Sequence, residues 1–288
     1  MSVPYHGFEP ELKFFGTMNG NSDSHTNAFF CPDDETVVLI DMSLLNMKRA
    51  CWMLSNMPNL KRFYACVTHT HLDHCSGFGE IAFSVKMEHP GELLTILTDH
   101  AVSEDVVAHL DSSGMRPCHT SLGNEDEVYR LLSYDEYGGA YAFYDKHGHT
   151  LARKTKPDWF VRTLVTSHSL RLKSCGFIFR SNGKLIVYSG DTNDLVPWVN
   201  YLRVTLGDEF QRSKDPPVEF YLDVATRKSE MHLCFMDIAE ELNVLLDEYP
   251  TLKLILMHYD NYALLGKQVE TAMPGKLWQK VFVACKSV

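Results

Sequence analysis

A chain of 288 residues with 45% hydrophobic and 22% charged residues is long enough for a large buried core and has the composition of an ordinary globular protein. Its 27 Lys and Arg against 37 Asp and Glu leave a net charge of −10, which disfavours a partner such as long nucleic acid, because a basic face is needed to replace condensed counterions. No two cysteines stand at Cys-x-x-Cys spacing, and no apolar run approaches the roughly 18 residues that cross a bilayer, so a cysteine zinc site and a membrane span are not expected.

Residues 12–17 read as a strand ending near Gly16, followed by a polar turn over 19–24. Residues 27–31 and 36–40 are short apolar runs joined by Pro32-Asp33-Asp34, a hairpin pattern, and the second run stops at Asp41. Helical spacing over 44–57 ends before Pro58. An apolar strand over 62–67 leads into a histidine-rich segment. A further strand is expected over 84–88, a mostly helical stretch over 91–110, and irregular structure over 112–127. Residues 140–143 and 160–165 read as strands. Between them lie Arg153, Lys154 and Lys156, a basic cluster that reads as a solvated loop. Residues 172–180 and 184–189 form a hairpin through Ser181-Asn182-Gly183. Helices over 195–204 and 234–249 and strands over 218–224 and 252–257 complete the alternation. The class is α/β, in a single domain over 1–288 with residues 100–160 available as a cap or lid. The start of the chain lacks a basic segment followed by an apolar one, and the cysteines read as free thiols, so a cytoplasmic protein is expected.

Asp41, His69, His168, Asp191 and His258 each stand just after an expected strand. Strand ends open onto one rim of a sheet, where α/β proteins gather their sites. His69-Thr70-His71-Leu72-Asp73-His74 supplies three imidazoles and a carboxylate within six residues. In extended chain His69 and His71 point the same way and suit one ion. A helix starting near Asp73 would turn Asp73 and His74 towards a second. Zinc-like ions accept both donor types at about 2.0–2.2 Å. A lone histidine at a strand end is more often a hydrogen-bonded structural residue, so His168 and His258 carry weight only as part of the ordered set.

This segment resembles the signature of the metallo-β-lactamase superfamily. Asp41 resembles the buried Asp that orients the histidine loop, His168 the third-motif histidine, Asp191 the bridging carboxylate and His258 the last ligand. The resemblance implies a four-layer αβ/βα sandwich and two divalent metal ions, zinc first, with manganese or iron also compatible. It assigns His69, His71 and His168 to one ion and Asp73, His74 and His258 to the other, with Asp191 bridging them. Two ions so placed lower the pKa of water enough to supply a nucleophile at neutral pH.

Within the superfamily the chain is similar to the tRNase Z-like phosphodiesterase branch. It shares the opening Phe14-Phe15-Gly16-Thr17, the 172–189 hairpin, and Glu230-Met231-His232-Leu233 ahead of a helix. The resemblance implies that His232 protonates the leaving group and that Asp73 handles the attacking water besides binding metal. The short hairpin between His168 and Asp191 leaves no room for the tRNA-gripping arm of tRNase Z, and Tyr259-Asp260-Asn261-Tyr262 replaces the usual ending of the last motif. A small phosphodiester such as a cyclic nucleotide therefore fits better than tRNA. Relatives of this kind include carbon–phosphorus lyase pathway phosphodiesterases and phage anti-Pycsar phosphodiesterases. Carbonyl hydrolysis on the same scaffold and RNA 3′-end cleavage are the alternatives. Tyr141, Tyr144, Trp159 and Tyr262 are candidates for stacking on a base, although such aromatics more often pack cores. Relatives are often dimers, which implies a homodimer.

Overall fold

The computed structural model describes residues 8–112, 114–117, 127–137, 140–144, 150–151, 157–169, 171–210, 217–273, 275 and 277–287. Its first sheet holds β1 (Lys13–Gly16), β2 (Asn27–Asp33), β3 (Thr36–Ile40), β4 (Arg62–Cys66), β5 (Leu94–Asp99), β7 (Glu127–Tyr137), β8 (Ala140–Tyr144) and β9 (Thr150–Leu151) in that spatial order, with β6 (Arg116–Pro117) beside β7. The second sheet runs β10 (Phe160–Ser169), β11 (Leu172–Ser181), β12 (Lys184–Tyr188), β13 (Val218–Asp223), β14 (Leu252–Met257) and β15 (Val281–Val283).

The two faces of the second sheet can be read from the period of 2 along its strands. Ile186, Tyr188, Tyr221, Ile255 and Met257 join one core with Phe14, Phe30 and Val38 of the first sheet. The alternating Leu185, Val187, Phe220, Leu222, Leu254 and Leu256 face the other way. They pack against Trp198 of α5 (Val196–Phe210), Leu242 and Leu246 of α6 (Phe235–Glu248), and Leu265 and Val269 of α7 (Tyr262–Ala272). On the outer face of the first sheet, α1 (Leu44–Ser55) packs on α3 (Phe78–Glu88), burying Ala50, Met53 and Leu54 with Phe78, Ile81 and Val85. The result is helix–sheet–sheet–helix, the expected four-layer sandwich. Among the described residues, no helix is long and apolar enough to cross a membrane.

Two expected elements differ. The 84–88 stretch is the last part of α3, whose buried Phe78, Ile81, Ala82 and Val85 follow helical spacing that a five-residue window hides. The start of the 91–110 stretch is β5, and only α4 (His100–Ser112) is helical. All six β5 residues are buried in a strand with parallel neighbours on both sides, so they lack alternation, and a short apolar run of this kind is ambiguous by periodicity. Of the 100–160 segment, α4 packs on β5, and β7 pairs parallel with β5, so these parts belong to the first layers. Arg153, Lys154 and Lys156 lie outside the described residues.

Strands β3 and β4 run parallel, as do β12, β13 and β14, so each set opens its C-terminal ends on one edge. Gly176 on β11 lies tight under this arrangement. A Cβ there would meet Trp198 Cη2 at 2.3 Å and the Tyr188 carbonyl oxygen at 2.4 Å. Gly176→Ala is therefore expected to destabilise the protein by about 1–3 kcal/mol or more, read as a lowered Tm; an unchanged melt would contradict this packing.

Candidate metal centre and active-site cleft

The histidine loop is set by Asp41. This carboxylate is fully buried at the end of β3, on a residue with φ of 51°. Its Oδ1 accepts the Thr68 backbone N–H at 2.9 Å, and its Oδ2 accepts the Thr68 hydroxyl and His74 Nδ1, each at 2.9 Å. Because the Thr68 hydroxyl donates to Asp41, it accepts from His69 Nδ1, also at 2.9 Å. Both imidazoles thereby donate through Nδ1 and turn Nε2 inward. Asp41 takes no part in capping α1, which has no side-chain cap at its start.

The inward atoms converge. His71 Nδ1 lies 3.0 Å from His69 Nε2 and 3.3 Å from His168 Nε2. His168 is fixed by donating Nδ1–H to the Met231 carbonyl at 2.8 Å. It sits within β10, which runs past the expected end to Ser169. Asp191 Oδ2 stands in the middle, 3.4 Å from His74 Nε2, 3.5 Å from His258 Nε2, 3.6 Å from His168 Nε2 and 3.8 Å from His69 Nε2. Asp73 Oδ2 is 3.2 Å from His74 Nε2 and 3.4 Å from His258 Nε2.

The donor set fits two ions. Nitrogens bound tetrahedrally to one zinc at about 2.0–2.1 Å stand roughly 3.3 Å apart, close to the separations here. Lone pairs aimed at each other without an intervening proton repel, and a cation between them removes that repulsion. His74 Nε2 is fully buried and lacks a hydrogen-bond partner although two carboxylates lie within 3.4 Å of it. His69, His71, His168 and Asp191 form one group with metal-ligand spacing, and Asp73, His74 and His258 form another.

Asp223, which the sequence reading passed over, organises the opposite side. It is fully buried, and its Oδ2 accepts the Thr192 backbone N–H at 2.9 Å and His232 Nδ1 at 2.8 Å, while Oδ1 lies 3.3 Å from His258 Nδ1. The signal was present: Asp223 ends the apolar run 218–222 as Asp41 ends 36–40. Asn27 was also missed. Its Nδ2 donates to the Asp73 carbonyl at 2.9 Å, and its Oδ1 accepts from Ser43 and Asn46, tying the Asp73 backbone to α1. Gly20 lies against Asp73, where a Cβ would come within 2.7 Å of Oδ2.

Electrostatics follow from the packing. Burial pushes His69 well below the usual histidine range, helped by the neighbouring imidazoles. Burial also opposes charge on His74, but Asp191, Asp41 and Asp73 outweigh it and lift it well above that range. His258 is likewise opposed by burial yet raised to about 10 by Asp191, Asp223 and Asp73. For Asp73, burial favours the neutral acid, but His74 and His258 prevail and keep it ionised. For His232, burial is outweighed by Asp223, so its pKa is raised.

A cleft of about 630 Å³ opens over the cluster, lined by residues including Asn19–Asn21, His71–Asp73, Asp191, Arg227–Ser229, His232 and His258. Trp159, a candidate for base stacking, is instead buried among Phe30, Tyr64 and Phe179. Tyr262 packs beside Tyr259, and the side chains of Tyr141 and Tyr144 lie outside those described.

The sandwich and its strand-end His and Asp cluster define a metal-dependent hydrolase of the metallo-β-lactamase superfamily, in the phosphodiesterase branch. Residues 11–274 match the profile of the family described as anti-Pycsar protein Apyc1, and the chain belongs to that family. Comparison with curated proteins gives no match. Among solved structures, the chain is similar to the metallo-β-lactamase fold protein YhfI from Bacillus subtilis, with a TM-score of 0.64 and 12% identity over 96% of this chain and 97% of that one. It is similar to unliganded yeast PDE1, with a TM-score of 0.60 and 12% identity over 96% and 97% of the two chains. It is also similar to the short form of human tRNase Z, with a TM-score of 0.54 and 16% identity over 96% and 97%. At such identities these likenesses establish the fold.

Two measurements test the centre. Asp41→Ala is expected to weaken metal binding by about 10–100-fold while the protein stays folded, measured by competition with a chelating dye. Because His74 and His258 hold protons at neutral pH in the metal-free chain, incoming ions must displace them. Metal loading should therefore release protons, and affinity should rise with pH; a pH-independent affinity across the neutral range would count against the raised histidines.

Proposed function

We propose that the protein is a dinuclear phosphodiesterase acting on a small phosphodiester, a cyclic nucleotide in particular. His69, His71 and His168 would hold one divalent ion, Asp73, His74 and His258 the other, with Asp191 shared. Zinc suits this nitrogen–oxygen set best, with manganese and iron as alternatives. Bound there, two such ions supply an activated water at neutral pH and offset phosphate charge.

The observation that carries the reading is the Asp223–His232 pair beside this cluster. Asp223 holds His232 Nδ1, so the other ring nitrogen remains for substrate, and the side chain is 16% exposed at the cleft. Against the cost of burial, the Asp223 carboxylate raises the His232 pKa and so favours the protonated ring that can give a proton to an alkoxide oxygen leaving phosphorus. Asp73 stays a carboxylate and can accept the proton of the attacking water. The family match and the short 172–189 hairpin favour a small substrate over tRNA.

We further propose a homodimer in the cytoplasm. The exposed Leu45 and Trp52 on α1 and Met87 on α3 support association, and the free thiols of the described cysteines support a reducing compartment.

Hydrolysis by metal-reconstituted protein tests the activity, with His69→Ala as the inactive control. His232→Ala should lower kcat on a cyclic nucleotide by about 10²–10⁴-fold. It should scarcely affect bis(p-nitrophenyl) phosphate, whose leaving group needs no proton; equal losses on both substrates would remove His232 from the acid role. The sign with pH follows: a general acid is lost as pH rises through its pKa, so activity falls on the alkaline side. Asp223→Asn, which removes the charge that raises His232, should move that limb to lower pH.

A further inference from the structure

The loop over 225–234 that presents His232 also brings Arg227 and Lys228 to the lining of the cleft. We propose that these two side chains form an anion-capturing arm that draws the substrate phosphate in and holds it against the reacting cluster, an inference that rests on the phosphodiesterase reading above.

The rest of the cleft favours such an arm. Asp260, which is no part of the proposed pair of ions, lines the same space, and the chain carries a net charge of −10. Away from the ions an approaching phosphate meets a repulsive field, which fixed cations at the cleft lining reverse locally. Arg227 and Lys228 are exposed at that edge. A guanidinium offers a planar fork that matches two phosphate oxygens, and an ammonium adds a mobile point charge.

Charges on a surface loop are usually just solvated, but this loop is anchored. Ala225 N–H donates to the Leu233 carbonyl at 2.7 Å, and Phe235 N–H to the Ala225 carbonyl at 3.0 Å. Thr226 N–H donates to Asp260 Oδ1 at 2.8 Å, and Gln268 Nε2 to the Thr226 carbonyl at 2.9 Å. Asn193 Nδ2 and His168 Nδ1 donate to the carbonyls of Glu230 and Met231. The loop is therefore tied to the cluster through His168 itself. Among the described residues the neighbouring carboxylates hold these cations only loosely. Asp260, which feels the nearby Arg227 charge, also accepts the Thr226 N–H, and Lys228 Nζ stands 3.9 Å from Asp237 with the lysine 86% exposed. A pair so exposed holds its partners weakly.

The test uses the metal-reconstituted full chain. Inorganic phosphate binding is measured by calorimetry, and kinetics on a cyclic nucleotide at several salt concentrations. The double variant Arg227→Ala/Lys228→Ala should raise the Kd for phosphate and the KM by about tenfold or more, as for lost charged hydrogen bonds. Its kcat should stay within about threefold, because the chemistry is untouched. The salt dependence of kcat/KM should flatten. Arg227→Lys should recover part of the loss, and Lys48→Ala, on exposed α1 outside the cleft, should match the unaltered protein. Unchanged phosphate affinity and salt dependence in the double variant would overturn the proposal. If instead the unaltered protein binds phosphate through Arg227 and Lys228 yet turns over no phosphodiester, the arm stands and the phosphodiesterase reading fails.

Discussion

The buried Asp41 carboxylate is the constraint on which the centre depends. It accepts from Thr68 twice and from His74 once, and through the Thr68 hydroxyl it also fixes His69. Burying an ionised carboxylate costs several kcal/mol unless hydrogen bonds replace its water. The contacts that meet this cost are the ones that set the tautomers of two inward-facing imidazoles. Stability and site geometry are thus settled by the same bonds. Asp223 repeats the device on the second sheet, where one carboxylate orients His258 and His232 together.

Backbone conformation serves the same end. Asp41 and His258 adopt φ of 51° and 59°, and Gly190, immediately before Asp191, has φ of 60°. Non-glycine residues rarely occupy this left-handed region, and those that do cluster at functional sites. Here each stands where a strand leaves its sheet, with Asp41, His258 and the Asp191 that follows Gly190 at the cluster. Gly190 has a further reason, since a Cβ would meet the Cys175 carbonyl oxygen at 2.7 Å. The sheets supply rigid ends, and these turns aim the ligands.

Asp191 gathers four imidazoles around one oxygen, His69 and His74 from the segment after β4, His168 from the end of β10 and His258 from the end of β14. Such a cluster without a cation is a balance of converging lone pairs and shared protons, which is why the histidines diverge in their titration. His69 is pushed down and His74 and His258 up, according to whether burial or the surrounding carboxylates dominate. The cleft above combines this cluster with His232, whose pKa Asp223 raises, and two basic side chains on one anchored loop, an arrangement suited to an anionic ester.

Much of this was legible in the residues. His69 to His74 declared their chemistry by density, and Asp41, Asp191 and His258 by their place after apolar runs, because a strand's end is set locally by where its apolar residues stop. The Asn-Gly turn before β12 was equally local. What only the tertiary structure decided was of two kinds. Strand β5 escaped because a run buried on both faces has no period to read, and the end of α3 because five residues are too few to show one. Asp223 and Asn27 acquired their roles from contacts with residues distant in sequence, His258 and Asp73, and a carboxylate or an amide is assigned a partner only when packing closes the space around it and excludes water.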